Sequence, residues 1–261
     1  MEEIDFERRF GGVKRLHGSQ GLAKLRAARV CIVGIGGVGS WAAEALARNA
    51  VGHITLIDLD NIAESNFNRQ LHATHENIGK TKVSAMRKRI LEINPICEVQ
   101  EIEDFISTAN IETLLHAPFD GIIDCTDDTK AKISLALYCQ EKQIAFIMSG
   151  SAGGRIDPTR IQNADIANVN GDKLLAKVRH QLRKHHAYPS GSSLHTNNKK
   201  SKKMGITCVY SNEIVKKPIA ENCELITLSG GLNCAGYGSC ISVTATFGFI
   251  SARMMLNQLL Y

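Results

Sequence analysis

Near the start of the chain an apolar run, Val30 to Val33, breaks into Gly34-Ile35-Gly36-Gly37-Val38-Gly39-Ser40 and then into the helix-like stretch Trp41 to Asn49. That succession reads as a buried strand, a tight glycine turn and a helix that leaves the turn at once. Glycines let a backbone approach an anion closely, and a new helix directs unpaired amides and the positive end of its dipole at it. Gly34, Gly36, Gly37, Gly39 and Ser40 are therefore candidates to hold a nucleotide phosphate. A second apolar strand, Ile54 to Ile57, ends on Asp58, about 20 residues beyond the glycines, where a ribose hydroxyl needs an acceptor. The bland alternative is a tight connection with no ligand. A Walker loop is excluded, because no lysine precedes Ser40 to reach terminal phosphates.

The rest of the first half alternates. A helix is expected near 20–27, then a strand at 30–33, a helix at 40–49, a strand at 54–57 and a loop to about 80. A helix from Lys82 to Glu92, a strand at 97–102, a helix near 108–116, a strand at 121–123, a helix at 129–142 and a strand at 144–148 complete the series. Strands alternating with helices predict an α/β fold: a doubly wound, mainly parallel, Rossmann-like sheet with a C-terminal extension, its site at the carboxyl ends of the strands. With 261 residues, 44% of them apolar, one domain over 1–261 is expected, divided into a nucleotide-binding core, 1–155, and a substrate or dimer segment, 156–261. Eight cysteines without a Cys-x-x-Cys pair, and an acidic Met-Glu-Glu-Ile-Asp start, argue against a zinc ribbon, a disulfide scaffold and a signal peptide, and point to the cytoplasm. Leu225 to Ala252 lacks Lys, Arg, Asp and Glu apart from Glu224 just before it. Its glycines, Asn233 and hydroxyl residues favour a helix packed on the sheet or a dimer interface over a membrane span.

Five ordered motifs separate a triphosphate from a nicotinamide: the glycine loop, Asp58-Leu59-Asp60, Ser65-Asn66-Phe67-Asn68-Arg69-Gln70, Lys80-Thr81-Lys82 with Ile93-Asn94-Pro95, and Asp124-Cys125-Thr126-Asp127-Asp128. Arginine and lysine beside an acidic strand end suit phosphates and a divalent metal, whereas hydride transfer has no use for them. The series resembles the ubiquitin-activating-enzyme-like superfamily of ATP-dependent adenylyltransferases, over about Arg9 to Gly153. The resemblance implies ATP and Mg2+ as cofactors. It gives the glycine loop to the phosphates, Asp58 to the ribose, Asn66, Arg69 and Lys82 to the triphosphate, and Asp127 to magnesium, with Asp60, Gln70 and Asp124 as further cofactor-side candidates. Read without it, Asp58 and Asp127 are candidate helix caps and Lys82 a solvated helix charge. Relatives often carry an N-terminal arginine that reaches the partner subunit's ATP site. Here the second arginine of that pattern falls on glycine in Arg8-Arg9-Phe10-Gly11-Gly12, which leaves Arg9 or Arg15 for the role.

The chain carries a formal charge of +5, yet Lys173 to Lys203 holds nine of its 31 Lys and Arg, four His and no acid, so the remainder is net acidic. The first part of this patch predicts an amphipathic helix over 174–183, and 185–204 a mobile basic loop, with RNA as the functional reading and a solvated face as the plain one. Arg8-Arg9-Phe10-Gly11-Gly12, Gly153-Gly154-Arg155-Ile156-Asp157-Pro158-Thr159, Gly205-Ile206-Thr207-Cys208-Val209-Tyr210-Ser211 and Val243-Thr244-Ala245-Thr246-Phe247-Gly248 are similar to one branch of the superfamily, the enzymes that dehydrate threonylcarbamoyladenosine in tRNA. That resemblance implies adenylation of the threonyl carboxylate and closure to the cyclic oxazolone, a homodimer, and links to a cysteine desulfurase and its sulfur-acceptor protein. Cys234, flanked by Asn233 and Ala235-Gly236, is a candidate redox or acyl-accepting thiol, or a buried inert one. Two other functions fit parts of the chain: an adenylyltransferase for a ubiquitin-like sulfur carrier, and an NAD-dependent oxidoreductase.

Overall fold

The computed structural model describes residues 5–189, 202–218 and 237–261. Seven strands form one sheet: β1 (Arg29–Val33), β2 (His53–Ile57), β3 (Glu98–Ile102), β4 (Gly121–Asp124), β5 (Ala145–Ser149), β6 (Ile161–Asp165) and β7 (Thr207–Ser211), in spatial order β3-β2-β1-β4-β5-β7-β6. All neighbours run parallel except β6 against β7. The strand order reverses between β1 and β4, which places a ligand crevice outside their carboxyl ends.

Period-two alternation sorts the strand side chains into two cores. Val30, Ile32, Ile54, Leu56, Ile123 and Ile147 pack under α2 (Gly39–Arg48), α3 (Lys82–Ile93) and α7 (Ile241–Leu260). Cys31, Val33, Ile57, Ile122, Phe146 and Met148 pack under α4 (Ile111–Leu114), α5 (Thr129–Lys142) and α6 (Lys173–His185). Strands buried on both faces read as continuous apolar runs, which is why β1, β2, β4 and β5 stand out in the sequence. α7 lies across the sheet in the α2 layer, and the end of the Met255 side chain packs over Gly121 at the start of β4.

Several expectations are corrected. The helix expected near 20–27 belongs to α1 (Phe6–Ala27), which bends at Phe10 and at Gly18, whose φ of 73° is left-handed. Asp5 caps it, accepting from the Arg8 amide, and Phe10, Leu22 and Leu25 bury its inner side. The helix expected near 108–116 shrinks to the four residues of α4. β6 and β7 lie beyond the strands that the sequence predicts, and they extend the same sheet past residue 155. The basic connection after α6 is anchored at both ends: the Tyr188 hydroxyl donates to Gln140 Oε1, and the Met204 and Gly205 amides donate to the Asp165 carboxylate. Tyr188 and Met204 are buried. Most of the loop expected to be mobile, and Cys234, lie outside the described residues. Of the run 225–252, the described part from Ile241 lies in α7; among the described residues no helix is long and apolar enough to cross a membrane.

Candidate functional site

The glycine loop is dictated by close backbone approaches. Gly34 has φ 87°, and a Cβ there would lie 3.0 Å from the Cys125 carbonyl group. A Cβ on Gly39 would lie 1.9 Å from Gly34 O, so α2 can begin there only on glycine. α2 opens with no side-chain cap. Among the described residues the amides of Gly36, Gly37, Val38 and Gly39 find no backbone acceptor outside the helix. Four donors at a helix N-terminus suit an anion.

Asp58, at the end of β2, accepts from Ile35 N at 2.6 Å and from Asp60 N at 2.9 Å, so the ribose candidate also shapes the glycine loop. The segment 64–71 folds over that loop. Trp41 Nε1 donates to Arg69 O at 3.0 Å, and the Arg69 side chain lies on Gly37, its Cγ 3.1 Å from where a Cβ would sit. Arg69 Nη1 donates to Ser65 O and Asn68 Oδ1, while Asn66 Oδ1 accepts from Ala63 N. Gln70 is buried with Oε1 unpartnered. Ser40 is fully buried and its hydroxyl accepts from Leu71 N, tying the two segments together.

Lys82 is not a solvated helix charge. Thr81 caps α3, and buried Lys82 directs Nζ to Asp60 Oδ2 at 2.5 Å and Asp58 Oδ1 at 3.5 Å. His72, close by, is 3% exposed with neither ring nitrogen partnered. Burial first, and then the Lys82 charge, push its pKa down to about 4.

At the end of β4 three aspartates do three different things. Asp124 is fully buried; Oδ1 accepts from Thr126 N and Oγ1, and Oδ2 pairs with Lys132 Nζ at 3.0 Å. It braces the turn with both carboxylate oxygens engaged. Asp128, and not Asp127, caps α5, accepting from Lys130 N and Ala131 N. No hydrogen bond or ion pair among the described residues engages the half-buried Asp127. One carboxylate left open beside a loop of free amides is the donor set a magnesium ion takes when phosphate oxygens and water complete its shell.

Arg9 is not brought to this crevice within its own chain. Its Nη1 donates to Ile93 O at the far end of α3, roughly 17 Å from Lys82 at 1.5 Å per helical residue. Sequence reasoning missed His72 and Lys132. Thr244 Cγ2 lies 3.4 Å from where a Cβ on Gly37 would sit, and Gly248 brings α7 against Val38 O of the loop. Both belong to the segment Val243 to Gly248, which the family resemblance singled out in the sequence without giving either residue a role.

A model of the ThiF family matches residues 8–226. The whole chain is 44% identical to a tRNA threonylcarbamoyladenosine dehydratase of Haemophilus influenzae, covering 97% of that protein. It is 39% identical to the Escherichia coli protein of the same name, over 98% of this chain and 94% of that one. The solved structure of the E. coli tRNA N6-threonylcarbamoyladenosine dehydratase in complex with ATP matches with a TM-score of 0.85 at 38% identity, over 99% of this chain and 96% of that one. With the likeness running from α1 through the crevice to α7, the chain belongs to the ThiF family.

Proposed function

We propose that this chain is an ATP-dependent dehydratase that cyclises N6-threonylcarbamoyladenosine in tRNA to its oxazolone form. The observation that carries this reading is that the likeness to tRNA threonylcarbamoyladenosine dehydratases runs end to end, through the second half that must select the substrate. A sulfur-carrier adenylyltransferase and an NAD-dependent oxidoreductase are not favoured.

The amides of Gly36 to Gly39 and the N-terminus of α2 hold the triphosphate, with Arg69 and Asn66 above it and Lys82 at its edge. Asp58 takes the ribose. Asp127 would hold Mg2+, which when bound screens the phosphate charge. Aligned in this crevice, the threonyl carboxylate attacks the α-phosphorus and releases pyrophosphate. The carbamoyl oxygen of the same nucleoside then attacks the acyl carbon, AMP departs, and the net loss is one water. No external nucleophile is needed, so positioning and charge stabilisation carry the rate.

The RNA would be held by the outer stripe of α6. Lys173, Lys177, His180 and Lys184 lie along its outward side, followed by exposed Lys202 and Lys203. Arg179 and Arg183 are excluded from that role, since they donate to Ile166 O, Val169 O and Pro189 O. A homodimer is supported by the exposed apolar Ile241 and Phe249 of α7, the latter edge-on to Trp41, with Arg9 serving the neighbouring subunit. A cysteine desulfurase and sulfur acceptor as partners rest on family resemblance alone. A tRNA substrate and free thiols at the six described cysteines suit the cytoplasm. The test is incubation with ATP, Mg2+ and tRNA bearing threonylcarbamoyladenosine, followed by nucleoside mass spectrometry. A mass loss of one water with matching AMP is expected, and AMP formed only when a carrier protein is supplied would overturn the reading.

A further inference from the structure

We infer that the buried Asp124–Lys132 pair is a positioning device that sets where Asp127 stands relative to the glycine loop. Both side chains are fully buried, with Nζ 3.0 Å from Asp124 Oδ2 and 2.7 Å from Ser149 O at the end of β5. A buried ion pair is weak as a stabiliser, because desolvation consumes most of the attraction and well-packed apolar residues do as well. Its geometry is more specific. The two oxygens of Asp124 face different ways: Oδ2 is fixed by Lys132, and Oδ1 gathers both the amide and the hydroxyl of Thr126, at 2.9 and 2.7 Å. The chain leaving β4 is thereby pinned to α5 and β5 at once. Cys125 and Thr126 then lie against Gly34, 3.0 to 3.1 Å from where its Cβ would be. Asp128 fixes the other side by capping α5. Asp127 stands between two anchored neighbours with its own carboxylate uncommitted, so its reach toward a phosphate-bound metal is set by a pair that touches neither. This rests on the assignment of Asp127 proposed above.

The experiment uses the full chain and measures ATP affinity by calorimetry with Mg2+ and with chelator, beside thermal melting and the rate of AMP release. The variants are Asp124→Asn/Lys132→Met, which keeps the site neutral, Thr126→Val, which removes one of the two bonds to Oδ1 at a half-buried position, and Asp127→Ala. The double variant is expected to lose the Mg2+-dependent gain in ATP affinity by about tenfold or more, as for supporting residues around a metal, with affinity in chelator unchanged. Thr126→Val should shift it the same way by less. A double variant that melts cooperatively and keeps the full Mg2+ gain overturns the inference, as does an unchanged gain in Thr126→Val should the double variant not fold. If Asp127→Ala itself keeps the gain, the metal assignment has failed and the inference with it. Loss in Asp127→Ala with none in the other two removes the inference alone.

Discussion

Asp127 and His72 each lack a side-chain partner among the described residues, with different consequences. Asp128 takes the helix-capping duty, so replacing Asp127 removes no interaction that the fold uses. Asp127→Ala should melt within a degree or two of the parent, yet lose several kcal/mol of transition-state stabilisation, on the order of a hundredfold or more in adenylation rate. AMP release near the parent rate would end its role. His72 is buried without a partner, and its folded pKa of about 4 lies below the ordinary 6.5. Between those values the unfolded chain takes up a proton that folded His72 refuses, so stability rises with pH and is fully present only above about 6.5. Acidifying from pH 7 to 5 should cost about 2 kcal/mol from this residue, at 1.36 kcal/mol per unit. His72→Leu should flatten that part of the melting curve against pH. The same slope in variant and parent would show that other groups carry it. The open carboxylate was legible in the sequence as part of an ordered motif. Family resemblance singled out Asp127, but the reason it stays open while Asp124 and Asp128 are engaged was not legible, because that depends on Lys132 and on where α5 begins.

Among the elements, α2 matters most because its first turn faces the crevice, and α7 holds it there. Gly248 is the point of nearest approach: a Cβ would lie 2.5 Å from Val38 O, 2.7 Å from Trp41 Cβ and 2.9 Å from Ala42 N. Backbone cannot yield as a flexible side chain does, so Gly248→Ala should destabilise by about 1–3 kcal/mol, the usual cost of overpacking, and weaken ATP binding by displacing the loop. Gly12→Ala is the control, since nothing lies within 4 Å of its Cβ and alanine favours helix by up to about 1 kcal/mol. Melting curves and ATP calorimetry on the two variants decide, and a Gly248→Ala protein indistinguishable from the parent would refute the close-packing account. The parallel strands β1, β2, β4 and β5 were legible because each is an apolar run bounded by turn residues. β6, Ile161-Gln162-Asn163-Ala164-Asp165, was not, since an edge strand needs few apolar residues and is defined by its pairing with β7. The first half of α1 was missed for a related reason. Gly11, Gly12 and Gly18 argue against a helix locally, and only the burial of Phe10 and Leu22 reveals what holds it.

At the scale of the whole molecule, charge and chemistry are segregated. The crevice lies between β1 and β4, whereas the basic stripe follows α6 on the opposite face of the sheet from α2. A small-molecule adenylyltransferase has no need of a second, cationic surface. A tRNA substrate does, because a modified base can sit at the strand ends only if the phosphate backbone on either side is held elsewhere. The sequence made the charge run visible but could not sort it. In the fold Arg179 and Arg183 are committed to carbonyl oxygens, while Lys177 and Lys184 stay exposed with Lys202 and Lys203. Replacing those four lysines by glutamate should weaken tRNA binding steeply and flatten its salt dependence. Each phosphate that a lysine no longer neutralises should reduce the slope of log K against log salt by roughly 0.7 to 0.9, as fewer counterions are released. ATP affinity should stay at the parent value, since none of the four touches the glycine loop or the β4 turn. Arg179→Gln should behave oppositely, lowering the melting temperature through its missing hydrogen bonds while leaving the salt slope intact. Filter binding at several ionic strengths distinguishes these outcomes. Parent slope and affinity in the quadruple variant would remove α6 from the RNA interface, and the substrate assignment would then rest on the end-to-end likeness to the dehydratases.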